Sequence, residues 1–269
     1  KDVSTHLKDI ETIHLYDENK TKVSDYQELF DDKEEKIVVI NPGFFEWQFT
    51  NETIDAIPNL KGIVTRSSWG NYIDVEYARS KNIVVANAPG ANSQSVTEYD
   101  IFQMLGLLRK FPLQLRDNFE IHIDEAHQGE ELRGKTVGIL GLGRIGTRIA
   151  NLCSGMGTNV IYWSRTKKSV EYSYSSLEEV LSKSDIVFKT WEIIPDTNGI
   201  LHKDNLRLLK PNAYFISVFG GIGWSDDDEI LLEMVEQGKL AGFSVENEHN
   251  KEAEIKENYT GNIFLPGAY

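Results

Sequence analysis

Short apolar runs alternate with helically spaced stretches over most of this chain. Residues 37–40 and 61–65 are β-rich runs bounded by turn-forming residues, and residues 50–57 between them have helical spacing. The pattern then predicts one or two helical turns over residues 75–79, a strand over 83–86 and a long apolar-faced helix over 98–109. Strands that alternate with helices in this way indicate a parallel sheet with helices on both faces.

A second alternating series begins at Thr136, and its predicted strands cover residues 136–140, 160–163, 185–189, 214–218 and 242–245. Ser176 and Glu179 form a capping-box pattern that opens a helix to residue 182, and Gly238 closes a helix over 229–237. The polar residues 117–133 are interpreted as a loop and connector. The fold class is therefore α/β, with two doubly wound parallel-sheet units over residues 1–97 and 98–269 and a cleft between them.

Three glycines follow the predicted strand 136–140 in the spacing G-x-G-x-x-G: Gly141, Gly143 and Gly146. The first permits a tight turn, the second lets backbone approach a pyrophosphate, and the third lets the following helix press against the strand. That helix begins near Arg144 and Ile145, and its N–H groups and positive dipole end point at the phosphates. We therefore predict a dinucleotide site; the alternative is a glycine-rich turn packed for structural reasons.

The composition limits the classes of partner. A formal charge of −14 and a pI near 4.9 argue against nucleic acid, whose phosphates would be repelled. No segment approaches the roughly 18 consecutive apolar residues of a membrane helix. The six histidines are scattered without metal-ligand spacing, so we expect surface histidines and no metal site. The single cysteine, Cys153, is interpreted as a small core residue, in keeping with a reducing cytoplasm.

The chain resembles the D-isomer-specific 2-hydroxyacid dehydrogenases over about residues 57–266. The matching runs are collinear and lie at residues 73–74, 87–98, 132–146, 185–201 and 209–213, and the run from Leu132 to Gly146 is nearly the family sequence. The resemblance implies a flavodoxin-like substrate domain, a Rossmann-like NAD(P)-binding domain, a small-molecule substrate held between them and a homodimer. It also implies a C-terminal helix that returns to the first domain; because nothing here corresponds to it, we expect that domain to be incomplete or the sequence truncated.

The family uses an arginine for the substrate carboxylate, a histidine that delivers a proton and a glutamate that tunes the histidine. Where the family has N-T-A-R-G-G, this sequence reads S-V-F-G-G-I from Ser217, and its last five residues, L-P-G-A-Y, stand where the family has L-T-P-H. An active enzyme would then need another cation in place of the family's arginine, and Arg66 and Lys189 are the candidates. Glu248 is a candidate for the family's glutamate. Ser68, Trp69 and Gly70 of this chain correspond to the loop with which the family binds the substrate carboxylate. Trp69 would fill space that a substrate usually occupies. Two explanations of these differences from the family remain open. Either the sequence has drifted after the activity was lost, or the pocket has been remodelled for another substrate.

The cofactor preference depends on the residues after the strand 160–163. Ser164 stands where an NAD-preferring site places an acid, and Arg165 and Thr166 follow with two lysines. A hydroxyl, a guanidinium and lysines favour the 2′-phosphate of NADP, although stacking of Arg165 on adenine would serve NAD equally well. By resemblance, further cofactor contacts are expected at Thr190, Trp191, Val218, Phe219 and Glu246.

Two functions follow from these observations. The first is a cytoplasmic NAD(P)-dependent oxidoreductase that reduces a small carbonyl compound. The second is a non-catalytic NAD(P)-binding protein that acts as a sensor or scaffold, which explains the missing arginine and histidine without substitutes. NADPH binding and NADPH consumption distinguish the two.

Overall fold

The computed structural model describes residues 20, 22–41, 48–67, 72–191, 197, 199–221, 226–246 and 260–264. The chain divides into two compact units, Lys1–Ala91 and Asn92–Tyr269. The predicted division after residue 97 falls inside helix α4 (Ser93–Leu108), whose whole length belongs to the second unit.

In the first unit, the described residues form a three-stranded parallel sheet in the order β1-β2-β3. Its elements are a 3₁₀ turn at Val23–Asp25, α1 (Gln27–Asp31), β1 (Lys36–Ile40), α2 (Asn51–Ala56), β2 (Leu60–Thr65), α3 (Val75–Ser80) and β3 (Val84–Ala86). The side chains of Thr50 and Asp74 cap α2 and α3 by accepting from backbone N–H groups. Ile63 is fully buried at the centre of this unit's apolar core.

The second unit contains a seven-stranded sheet in the order β10-β9-β8-β7-β4-β5-β6, and all its strand pairs are parallel. After α4 its elements are α5 (Phe111–Arg116), β4 (Thr136–Leu140), α6 (Arg144–Gly155), β5 (Asn159–Trp163), β6 (Ser173–Tyr174), α7 (Leu177–Lys183), β7 (Ile186–Lys189), α8 (Lys203–Leu206), β8 (Ala213–Gly221), α9 (Asp226–Glu236), β9 (Leu240–Glu246) and β10 (Ile263–Phe264). The strand order reverses at β4, which lies between β5 and β7. In doubly wound sheets, ligands bind beyond the carboxyl ends of the strands at such a switch point.

The predicted α/β, Rossmann-like fold is confirmed, and the predicted strands recur with small shifts of their ends. Six short elements of the described residues were not predicted: the 3₁₀ turn at Val23–Asp25, α1, α5, α8, β6 and β10. Helix α4 begins five residues before the predicted start at residue 98, because its first turn is polar and carries no apolar periodicity. The capping box at Ser176 and Glu179 is present, with both hydrogen bonds formed.

Strand β4 is buried on both faces of the sheet between two apolar clusters. Cys153 lies in one of them with no exposed surface, as predicted, and burial raises the pKa of its thiol to about 12. Among the helices of the described residues, none is both long enough and apolar enough to cross a membrane.

Candidate dinucleotide-binding site

The turn after β4 adopts a conformation that only glycine tolerates easily. Gly141 has a φ of +99°. Its N–H donates to the carbonyl of Trp163 at 2.8 Å, which ties the turn to the end of β5. A Cβ at Gly141 would lie 3.1 Å from the hydroxyl oxygen of Thr190. The first glycine of the motif therefore performs the task that its position predicts.

The other two glycines face opposite environments. Gly143 is the N-cap of α6, and a Cβ placed there would meet no protein atom within 4 Å. A Cβ at Gly146 would collide with the carbonyl oxygen of Gly141 and lie 2.8 Å from the Thr190 hydroxyl oxygen. Gly143 thus leaves space open on the outer side of the turn, whereas Gly146 lets helix α6 pack closely on the turn. The open backbone at Gly143 allows a pyrophosphate to approach closely, so the glycine turn suits a dinucleotide.

The N-terminal end of helix α6 provides positive charge beside the glycine turn. Its N–H groups in the first turn have no partners within the helix and point toward the space beside Gly143. Arg144 is exposed there, whereas Ile145 is half-buried and packs against the apolar core. Arg144 is thus accessible to an anion, whereas the side chain of Ile145 is directed to the core.

The segment after β5 is an ordered turn. The hydroxyl of Ser164, which is 7% exposed, donates to the carbonyl of Thr166 at 2.7 Å. The Tyr162 hydroxyl accepts from the backbone N–H of Lys168 at 2.9 Å and donates to its carbonyl at 3.1 Å. The Ser164 hydroxyl therefore holds the turn together, and contacts of Ser164, Arg165 and Thr166 with a 2′-phosphate stay predictions. The anchoring role of Tyr162 is not evident from the sequence, because an aromatic residue in a strand usually belongs to the core.

The side chains of Arg165 and Thr166 are exposed, as are those of Lys167 and Lys168. Three cations and no carboxylate thus stand in the five residues from Ser164 to Lys168. An anionic group on a ribose bound beside this segment would meet positive charge.

The end of β7 closes the other side of the turn. The N–H of Thr190 donates to the carbonyl of Leu140 at 2.9 Å, and its hydroxyl donates to the carbonyls of Leu140, at 3.2 Å, and Gly141. Trp191 is half-buried and meets Trp163 edge to face, with ring centroids 5.5 Å apart. Both predicted contact residues thus lie at the turn, and the Thr190 hydroxyl supports its backbone.

Lys189 is the last residue of β7 and is only 7% exposed. Its Nζ lies 3.5 Å from the hydroxyl oxygen of Ser217, its register partner on β8. The structure thus places a buried ammonium group at the carboxyl end of β7, beside the switch point at β4.

The remaining predicted residues are distributed elsewhere. Arg66 is exposed in the first unit, and its backbone N–H donates to the Ile40 carbonyl at 3.0 Å. Val218 is 1% exposed within the core, so it offers a ligand only backbone. Phe219 and Glu246 lie at the ends of β8 and β9, outside the residues whose side chains are described. Ser68, Trp69, Gly70 and Glu248 also lie outside the described residues.

Residues 101–258 match the sequence profile described as "D-isomer specific 2-hydroxyacid dehydrogenase, NAD binding domain". The glyoxylate reductase of Thermofilum pendens is 30% identical over 206 residues, which are 72% of this chain and 60% of that protein. The D-3-phosphoglycerate dehydrogenase of Haemophilus influenzae is 27% identical over 265 residues, 94% of this chain and 63% of that protein. The chain therefore spans less than two thirds of the length of both relatives.

A solved acyclic imino acid reductase, in complex with NADPH and D-Arg, is similar in structure, with a TM-score of 0.73 and 26% identity over 89% of this chain and 76% of that chain. These similar proteins are dehydrogenases and reductases, and the matching profile is that of an NAD-binding domain. Both observations support a nicotinamide cofactor at the glycine turn.

Proposed function

Because the chain belongs to the D-isomer-specific 2-hydroxyacid dehydrogenase family, we propose that it is a nicotinamide-dependent oxidoreductase that reduces a small carbonyl compound. The observation that supports this most directly is the glycine turn, which keeps backbone open at Gly143 and packed at Gly146. Such a turn is retained where a pyrophosphate must be bound closely. The bound cofactor supplies a hydride, and the residues of the chain supply binding, orientation and charge.

The proposed cofactor is NADP, with NAD as the alternative. The support is the exposed cationic segment at Arg165, Lys167 and Lys168, together with the buried Ser164 in place of an acid. A carboxylate at that position would repel a 2′-phosphate, whereas a guanidinium forms charge-assisted hydrogen bonds with it.

Two cations are proposed to replace the family's arginine. Lys189 is buried beside Ser217 at the carboxyl end of β7, where charge acts in a low dielectric. Arg66 follows β2 in the first unit and is exposed. Either one would orient an anionic substrate and polarise its carbonyl. Lys189→Met and Arg66→Met, made separately, should identify which one is needed, because loss of that cation raises KM and lowers kcat without changing NADPH affinity.

The function is tested by measuring NADPH and NADH binding from nicotinamide fluorescence, alongside NADPH consumption with a panel of 2-oxoacids and aldehydes. We expect binding and turnover of at least one substrate. Tight binding with no turnover on any substrate would contradict the oxidoreductase and support the alternative, a non-catalytic cofactor sensor or scaffold. No binding of either cofactor would exclude both.

We also propose a homodimer. Its support is the exposure of Leu115, Phe119, Ile121 and Ile123, at 56%, 57%, 91% and 98%, in one short segment that includes the end of α5. Clustered exposed apolar residues of this kind mark association surfaces. Light scattering of the wild type and of Ile121→Asp/Ile123→Asp tests it: a dimer that the double variant converts to a monomer supports the proposal, and a monomeric wild type contradicts it.

A further inference from the structure

Two histidines and two aspartates meet in the connector between α5 and β4, outside the glycine turn. Asp117 follows α5, and Asp124, His122 and His127 lie in the irregular segment after it. The imidazole rings of His122 and His127 are stacked, with centroids 4.2 Å apart and planes inclined by 14°. Sequence spacing did not reveal this cluster, because the segment has no regular secondary structure that would place its residues on one face.

Both rings direct the same nitrogen to the same carboxylate oxygen. The Oδ2 atom of Asp117 lies 2.8 Å from Nε2 of His127 and 3.3 Å from Nε2 of His122. On the opposite edge, Nδ1 of His127 lies 2.8 Å from Oδ1 of Asp124, and that oxygen also accepts from the backbone N–H of His127 at 3.0 Å. Asp124 thus fixes the orientation of the His127 ring.

The atoms that could bind a metal ion meet on one side of this cluster: Nε2 of His122, Nε2 of His127 and Oδ2 of Asp117. When Nδ1 of His127 donates to Asp124, its Nε2 carries the lone pair through which imidazole binds metals. A cation on that side would be bound by both rings and by the carboxylate.

We propose that Asp117, His122 and His127 bind a divalent transition-metal ion such as Zn²⁺, with Asp124 as a positioning residue. Among the described residues, one ligand atom from each of these three lies within 4.8 Å of the others. A zinc ion about 2.0–2.2 Å from each ligand atom separates those atoms by roughly 3.4 Å, so the side chains need to open only slightly and rotate out of the stack. The side chains are 32%, 32% and 17% exposed, which permits that movement and leaves access for the ion and a water ligand.

The donor set determines the class of cation. Imidazole nitrogens with one carboxylate oxygen suit Zn²⁺, Co²⁺, Ni²⁺ or Cu²⁺ and are poor ligands for Ca²⁺ and Mg²⁺, which require oxygen. The contact from His127 Nδ1 to Asp124 reproduces the carboxylate–histidine–metal arrangement in which an outer carboxylate orients a ligand. Bound metal would join both ends of the segment 117–127 and so stabilise the folded connector.

The full chain, freed of metal by dialysis against a chelator, is titrated with ZnCl₂ in competition with a chromogenic chelator, and with CoCl₂ while visible absorption is recorded. We expect one Zn²⁺ per chain, a rise in Tm with zinc concentration, and cobalt bands more intense than those of the aquo ion. His122→Gln and His127→Gln should each abolish saturable binding, and Asp124→Asn should keep the stoichiometry with about 10–100-fold weaker affinity.

His202→Gln and Asp204→Asn are the matched controls, because both remove a similar group from the start of α8 and should leave zinc affinity unchanged. Zinc binding that survives the double variant His122→Gln/His127→Gln would overturn the proposal, as would an aquo-ion spectrum of cobalt with the wild-type chain. The cobalt spectrum needs no variant, so the proposal stays testable even if a substitution disturbs the connector.

Discussion

The hydroxyl of Thr190 donates to the carbonyl of Gly141, so the end of β7 holds the glycine turn that follows β4. The same carbonyl is the atom that a Cβ at Gly146 would strike. The end of β7, the glycine turn and helix α6 therefore meet around the peptide group of Gly141. This arrangement leaves the backbone at Gly143 open. We therefore expect Gly146 to affect stability and Gly143 to affect cofactor binding.

Gly146→Ala should destabilise the chain. The added Cβ would lie 2.8 Å from the Thr190 hydroxyl oxygen and closer still to the Gly141 carbonyl, so the turn or the helix must shift. Overpacking of this kind costs about 1–3 kcal/mol of unfolding free energy, measured by urea denaturation. Gly155→Ala, at the other end of the same helix, is the control: nothing lies within 4 Å of its added Cβ, and it should be neutral or stabilising. Equal loss in both variants would disprove the packing argument.

Gly143→Ala should separate binding from stability. No protein atom lies within 4 Å of the added Cβ, so the unfolding free energy should fall only by the N-cap preference for Gly over Ala, about 1 kcal/mol or less. A methyl group at this position obstructs the approach of the pyrophosphate to the backbone, and NADPH affinity should fall at least about tenfold, or about 1.4 kcal/mol. Fluorescence titration measures it, and unchanged affinity would show that the cofactor does not approach Gly143.

The sequence was sufficient to predict this turn because its physics is local. A buried strand, three glycines at fixed spacing and an amphipathic helix specify one geometry, and β4, Gly141 and α6 adopt it. The capping box at Ser176 and the core position of Cys153 were predictable for the same reason.

Features that depend on tertiary contacts were not predictable. The side-chain role of Ser164 depends on the carbonyl of Thr166, and the anchoring of that turn depends on Tyr162. The cluster of His122 and His127 arises from an irregular connector that carries no periodic signal. Short elements such as β10 pair only because β9 presents a free edge to them, which no local pattern reveals.

Arg165→Ala should weaken NADPH binding and spare NADH. A charge-assisted hydrogen bond to phosphate contributes about 1.5–3 kcal/mol, and exposure of Arg165 places the loss near the lower end, roughly tenfold in Kd. NADH lacks the 2′-phosphate, so its affinity should change by less than about twofold. Arg207→Ala removes an exposed arginine elsewhere in the same unit and controls for net charge. Equal weakening of both cofactors by Arg165→Ala would instead support stacking on adenine and remove the case for NADP.

Cys153 should resist thiol reagents in the folded chain. Burial raises the pKa of its thiol to about 12, so the reactive thiolate is scarce at pH 8 and access is closed as well. Labelling with a disulfide reagent should be slow without denaturant and complete in urea, where the thiol returns to its ordinary pKa. Rapid labelling of the native chain with an unchanged circular dichroism spectrum would contradict the buried position.

Tyr214→Phe should destabilise the second unit through the polar network that joins β8 to the connector. Tyr214 is 1% exposed; its hydroxyl donates to Oε1 of Glu130 at 2.6 Å and accepts from Nζ of Lys110 at 3.1 Å. Removing the hydroxyl leaves both partly buried charged groups short of a partner, which costs about 1–3 kcal/mol of unfolding free energy. Tyr172→Phe is the control, because its hydroxyl donates to Asn151 at an exposed site and its loss should cost less than about 0.5 kcal/mol.

The pH dependence of the Tyr214→Phe effect identifies its cause. Burial of Glu130 opposes its ionisation, but hydrogen bonds from Lys135 and Tyr214 outweigh burial and hold its pKa below the usual 4.5. The stabilisation from this carboxylate is therefore present above pH 4.5 and is lost as the pH falls through the lower native value. The difference in unfolding free energy between wild type and Tyr214→Phe should narrow on acidification, measured by urea denaturation across that range. A difference that stays constant with pH would assign the loss to packing at β8 rather than to Glu130.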